Sequence, residues 1–219
     1  MIDVLGTGGG RRSPDRGVAI LDYGSGNVRA IANVYHRAGI RHFVATKPEH
    51  VMEAERMILP GVGAFDGALE RLHGSGLFPA LEQRVLRDRR PILGICVGMQ
   101  LLADRSEEGQ RKGLGWIPGR VSRFTDDVLK TLPLPHMGWN QIQPVRSHIL
   151  LTSLEEGSEF YFLHSYHFEC EDPSDVLAMT TYGRPFASMI QRENVLGVQC
   201  HPEKSHASGI RLLANFGNT

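Results

Sequence analysis

Cys96 stands between two glycines in GICVGMQ, residues 94–100, directly after the apolar run Pro91, Ile92 and Leu93. A strand that runs into G-x-nucleophile-x-G reads as a nucleophile elbow. Its glycines strip side-chain bulk from the point where strand and helix crowd, leaving the nucleophile on a strained, exposed turn. At a helix N-terminus the partial positive charge favours thiolate over thiol, and the first unpaired backbone N–H, that of Val97, points where an oxyanion forms. The competing reading is a small packing residue, because free cysteines are among the most buried side chains. A base for such a thiol stands near the other end of the chain, in VQCHPEKS, residues 198–205. His201 and Glu203 are two apart, so an extended backbone, which Pro202 favours at His201, puts both on one face. An imidazole oriented by a carboxylate completes the logic of a Cys-His-Glu triad for acyl transfer. By the same alternation Cys200 faces the other way and is expected to pack. His-Pro-Glu alone is a common surface turn; joined to the elbow it specifies nucleophilic catalysis.

The elements that must position these groups follow from hydrophobic patterning. Val18–Leu21 is a short buried strand that turns at Gly24-Ser25-Gly26 into a helix whose apolar positions, Val28, Ile31, Ala32, Tyr35 and Ala38, keep helical spacing, with Gly39 as its cap. Further strands are expected at His42–Ala45, 56–59 and 92–95, with helical stretches between them. That alternation argues for an α/β fold, a mostly parallel central sheet covered by helices. After Trp116 the pattern changes to additional short β-like runs near 120–124, 160–164, 178–182, 187–191 and 195–199, and the chain closes with a helix over about 205–216. Residues 1–16, rich in glycine and arginine, read as a flexible tail, leaving 17–219 as one domain. Trp139 lies in a Gly-Trp-Asn segment read as a turn.

Composition narrows the classes. With 219 residues and 41% hydrophobic content the chain can build one substantial core. Net charge is zero and the 24 Lys and Arg are spread along the sequence, which argues against a nucleic-acid surface or a polybasic membrane patch. No apolar run approaches the roughly 18 residues of a membrane span, and residues 1–16 lack the apolar core of a signal peptide, so a cytoplasmic protein is expected. Three cysteines, an odd number without a disulfide-like framework, suit a reducing compartment. Gly24-Ser25-Gly26-Asn27 has the form of a phosphate cradle but lacks the lysine of a P-loop and the third glycine of a dinucleotide site. His164 and His167 form H-x-x-H without a third ligand at suitable spacing, so neither metal nor cofactor is expected.

On these residues the chain resembles the triad glutamine amidotransferases, with Cys96, His201 and Glu203 as the triad. Within them it is most similar to the glutaminase subunits of imidazole glycerol phosphate synthases. The likeness runs from about Val18 to Phe216 and rests on LDYGSGN (21–27), LPGVGAF (59–65), GICVGMQLL (94–102), HMGWN (136–140), FLHSYHF (162–168) and VQCHPEKS. It implies glutamine hydrolysis through a glutamyl thioester, with ammonia delivered to a (β/α)8 barrel cyclase in a heterodimer that forms imidazole glycerol phosphate and AICAR. It implies an oxyanion hole from Val97 and the loop Gly61, Val62 and Gly63, whose glycines let a peptide rotate between productive and unproductive settings. Gln100, one helical turn after Cys96, is implied to bind glutamine. Glu108 then lies near the substrate ammonium, and backbone groups of Ser165 and Tyr166 hold its carboxylate. Asn27, Trp139, Tyr161 and Lys204 are implied to face the partner. Lys204 points by alternation away from the face of Glu203. Two other readings stay open: a glutaminase serving a different synthase, and a non-catalytic regulatory subunit of the same fold. The departures from the family pattern are Cys200 where an aromatic is common, His167 after His-Ser-Tyr, and the amino-terminal tail.

Overall fold

Val18, Ala19, Ile20 and Leu21 are fully buried, as an interior parallel strand with both faces covered requires, and they form β1 (Val18–Leu21). The computed structural model describes residues 17–125 and 132–218; the expected tail over 1–16 lies outside the described residues. Strand β1 sits between β2 (His42–Ala45) and β3 (Arg56–Gly61), and β3 continues to β4 (Ile92–Cys96), all parallel. The short β5 (Arg105–Ser106) and β6 (Gly119–Arg123) belong to the far side of the same sheet. The remaining strands are β7 (His136–Gln141), β8 (Gln143–Pro144), β9 (Glu159–His164), β10 (Tyr166–Cys170), β11 (Val176–Tyr182), β12 (Arg184–Arg192) and β13 (Val195–Val198). The order β2-β1-β3-β4-β13-β12-β10-β6-β5 defines the main sheet, with β11 pairing β12 off this path and β8 pairing β11, while β7 and β9 form a second sheet. From β2 to β13 every pairing is parallel, whereas β12, β10 and β6 add antiparallel neighbours.

Helices α1 (Val28–Arg37), α2 (Pro48–Met52), α3 (Phe65–Gly74), α4 (Phe78–Glu82), α5 (Val97–Gln100) and α6 (His206–Gly217) connect or flank the strands. Helix α1 buries Val28, Ile31 and Tyr35 on one stripe, carries His36 and Arg37 in its last turn where the dipole favours cations, and is followed by Gly39 at φ +68°. Among the described residues no helix is long and apolar enough to cross a membrane.

The parallel strands end together on one side, and a binding crevice is expected outside their carboxyl ends. Gly61, Cys96 and the segment after Val198 all lie there, at the ends of β3, β4 and β13. One reading is corrected. Trp139 is not in a turn but in the middle of β7, opposite Tyr161 of β9. The alternation of β7 is hidden because Met137 and Trp139 are both exposed, 65% and 45%, on its outer face. Strands β5, β8 and β10, too short or too mixed to show a period of two, were also not expected from sequence.

Candidate active site

Cys96 closes β4 with φ +54° and ψ −111°, a conformation that costs a non-glycine residue on the order of 1–3 kcal/mol and marks an elbow. The helix it opens is only the single turn of α5, so the local field comes from a few unpaired N–H groups rather than a long dipole. The turn is tight because three glycines pack backbone on backbone. A Cβ at Gly98 would lie 1.9 Å from the Leu59 carbonyl oxygen, one at Gly94 2.6 Å from that of Gly98, and one at Gly61 2.4 Å from the Gly98 nitrogen.

His201 and Glu203 meet, though not by strand alternation. Pro202–Lys204 is a 3₁₀ turn, which wraps Glu203 back under His201 and places Nδ1 2.9 Å from Oε1. The backbone of His201 is anchored by its N–H to the Tyr161 carbonyl at 2.8 Å and by its own carbonyl accepting from Ser205 Oγ at 2.6 Å. Burial opposes protonation of His201, but hydrogen bonds to Cys96 and Glu203 and their negative charge outweigh it, raising its pKa to about 10. Because Nδ1 is committed to Glu203, Nε2 is the nitrogen left for the thiol. Burial would raise Glu203 too, yet the His201 bond and charge, with a second donor from Asn27, hold it below the usual carboxylate range. The resemblance implies that Asn27 faces the partner; within the chain its Nδ2 reaches Glu203 Oε1 at 2.7 Å. Cys200 is fully buried and burial pushes its thiol well above the ordinary value, so it packs as expected.

A cavity of about 270 Å³ opens over Cys96, lined among others by Val97, Gln100, Glu108, Ser165, Tyr166 and His201. The substrate-binding residues expected from sequence therefore converge. Gln100 donates through Nε2 to the Tyr166 carbonyl at 3.0 Å, so that carbonyl is occupied. Glu108 Oε2 accepts from the Phe65 N–H at 2.9 Å, capping α3 from outside. Lys204 also lines this cavity, and its Nζ lies 5.5 Å over the Tyr161 ring; the backbone that carries it is a 3₁₀ turn rather than the extended chain that alternation assumes.

The loop Gly61, Val62 and Gly63, expected as the second half of an oxyanion hole, is held by a side chain from the turn after β1. The Val62 N–H is turned away from the cavity, as a loop that rotates between two settings allows: it donates to Ser25 Oγ at 3.0 Å, and Ser25 Oγ donates back to the Val62 carbonyl at 3.1 Å. Ser25 is 4% exposed, and in the sequence it shows only as part of the Gly24-Ser25-Gly26-Asn27 turn and phosphate-cradle pattern. A two-sided hydroxyl clamp across 37 residues leaves no local sequence signal.

Beneath the cavity, His164 Nδ1 donates to the Tyr166 carbonyl at 2.8 Å, so its Nε2 accepts from His136 Nδ1 at 3.0 Å. Both rings pack among Phe162, Phe186 and, for His136, Tyr182. Burial lowers His136 to about 4; burial, with the neighbouring His136, lowers His164 to about 3. Since these folded-state values lie below the unfolded 6.5, the unfolded chain binds more protons in between, and stability falls as pH drops from about 6.5 toward 3. We expect urea midpoints to decline steeply over that window, and His136→Phe to flatten the slope by on the order of one proton. An unaltered slope in the variant would remove His136 from the titration.

Residues 19–218 match the family model of class-I glutamine amidotransferases. The imidazole glycerol phosphate synthase subunit HisH of Bdellovibrio bacteriovorus is 50% identical over 200 residues, covering 91% of this chain and 98% of that one. The subunit of the same name from Leptospira borgpetersenii is 45% identical over 202 residues, 92% and 99% of the two chains. The chain belongs to the HisH family of class-I glutamine amidotransferases. A solved glutamine amidotransferase superposes with TM-score 0.69 at 19% identity over 92% of this chain and 99% of its own, a likeness of fold. Enzymatic glutamine amidotransfer in histidine biosynthesis follows from HisH membership. The family resemblance read from the motifs thus holds.

Proposed function

We propose that this chain hydrolyses glutamine through Cys96, His201 and Glu203 and hands the ammonia to a (β/α)8 barrel cyclase bound as a heterodimeric partner in the cytoplasm. The observation that carries the reading is the convergence of a strained cysteine and a carboxylate-oriented histidine at one cavity outside the strand ends. The Cys96 thiolate attacks the side-chain amide carbon, and the Val97 N–H supports the tetrahedral oxyanion. His201, as imidazolium, protonates the leaving nitrogen, ammonia departs, and a thioester remains. Water then gives a proton to His201 and its hydroxide adds to the thioester carbon; collapse expels the thiolate and leaves glutamate. Gln100, Glu108 and backbone of Ser165 and Tyr166 hold the substrate. No cofactor or metal enters these steps. Residues 17–219 form the single amidotransferase domain.

Ammonia released into bulk water is protonated and lost as a nucleophile, so a docked synthase must receive it. The HisH relatives are named as subunits of imidazole glycerol phosphate synthase, and the cyclase reaction yielding imidazole glycerol phosphate and AICAR is the fitting acceptor. Trp139, stacked on His206 at 5.0 Å and edge-on to Tyr161 at 6.1 Å, forms with Lys204 an exposed aromatic and cationic patch beside the cavity. Aromatic anchors of this kind dominate interface energetics. Lys204→Ala is expected to weaken cyclase binding by about 2–5 kcal/mol in calorimetry, or to raise glutamine consumed per product formed. Unchanged affinity and stoichiometry would place Lys204 outside the interface.

The Ser25 clamp explains how hydrolysis waits for the partner. With the Val62 N–H turned onto Ser25, one oxyanion donor is missing, a loss worth on the order of 10²- to 10³-fold. The isolated chain should therefore release glutamate slowly and the complex rapidly. Ser25→Ala should raise the rate of the isolated chain about tenfold or more. If the variant stays as slow as the parent alone, the clamp does not gate the loop.

A further inference from the structure

The parallel register of β13 with β4 ends at Val198↔Ile95, one residue before Gln199 and Cys96, whose side chains are in contact, while Gly61 flanks Cys96 on the other side. Gln199 is fully buried. Its amide orientation is dictated from outside. The Tyr166 carbonyl can only accept, so the group that Gln100 presents to it at 3.0 Å is its NH₂. The second hydrogen of that NH₂ goes to Gln199 Oε1 at 3.1 Å, which leaves Gln199 Nε2 aimed at Cys96 Sγ, 3.7 Å away. As a thiol, Cys96 donates toward the Leu163 carbonyl at 3.9 Å. Once the proton leaves, that carbonyl repels the sulfur, whereas a hydrogen bond from Gln199 to an anion is roughly twice as strong as one to a neutral group.

We infer that Gln199 is a further catalytic residue, the side-chain donor that holds the Cys96 sulfur as an anion and aims it at the substrate carbon. It also links the nucleophile to the substrate cavity, because the residue that polarises it, Gln100, lines that cavity. The inference rests on Cys96 being the nucleophile.

The test is alkylation of the purified full-length chain by iodoacetamide across pH, with Cys96 labelling read by mass spectrometry apart from Cys170 and Cys200. In Gln199→Leu, Cys96 labelling at neutral pH should fall about tenfold or more, its profile should move toward alkaline pH, and kcat should fall with little change in KM. A folded variant with unchanged labelling and profile overturns the inference. Should the branched leucine unfold the chain, Gln199→Met supplies similar length without a donor. In the unsubstituted chain, the Gln199 side-chain amide resonances should shift as Cys96 ionises, and no shift also overturns it. Glutaminase activity surviving in Cys96→Ala would instead defeat the functional reading, while the labelling contrast would still report on the thiol.

Discussion

Cys96→Ala will leave no measurable glutamine-dependent synthesis in the complex with the cyclase, while synthesis from added ammonium salts will persist near the parental rate. The asymmetry follows from where the chemistry sits. Without the sulfur no thioester forms, and single losses within an acyl-transfer triad cost on the order of 10⁴- to 10⁶-fold. In the proposed complex the ammonia acceptor chemistry belongs to the partner, and the proposed docking surface around Trp139, Tyr161 and Lys204 is untouched by the change. Both activities should be measured on one reconstituted preparation. Substantial glutamate release from the variant would take Cys96 out of the nucleophile's role, whereas loss of both activities would show that the substitution broke the complex.

Gly98→Ala will damage both fold and chemistry. The added methyl would sit 1.9 Å from the Leu59 carbonyl oxygen, and the obstructing atom is backbone in the middle of the sheet. Either β3 moves away from β4 or the elbow lifts. Overpacking of this kind costs about 3 kcal/mol or more, and a displacement of about 1 Å at the nucleophile costs on the order of 10²-fold in rate. Gly74→Ala is the matched control, because nothing lies within 4 Å of its added carbon at the end of α3. Urea titration of both variants, with glutaminase rates in the complex, decides the matter. A Gly98→Ala chain as stable and active as the Gly74→Ala chain would mean that the elbow is looser than its contacts imply.

Much of the site is legible in the sequence. The elbow was readable because its determinants are local: an apolar run long enough for a strand, then small residues at the two positions where backbone meets backbone. Cys200 could be set aside as packing by alternation alone. His201 and Glu203 were paired correctly but for an incomplete reason, since a Pro-Glu-Lys 3₁₀ turn, not an extended strand, brings the carboxylate under the ring. Strand β7 was missed because its outer face carries Met137 and Trp139, which reverses the burial contrast that alternation depends on.

By itself the sequence determined the α/β order of elements, the elbow and the pairing of His201 with Glu203, because steric crowding, hydrophobic period and residue chemistry act within a few positions. Only the tertiary structure decided that Asn27 orients Glu203 across 176 residues, that Ser25 captures the Val62 N–H across 37, and that Gln199 reaches the Cys96 sulfur across 103. It decided too that His136 and His164 share one proton-donating chain beneath the cavity. Each of these is a directional hydrogen bond between groups that share no local period. Its existence depends on the register of distant strands and on buried polar atoms having to find partners where water is excluded.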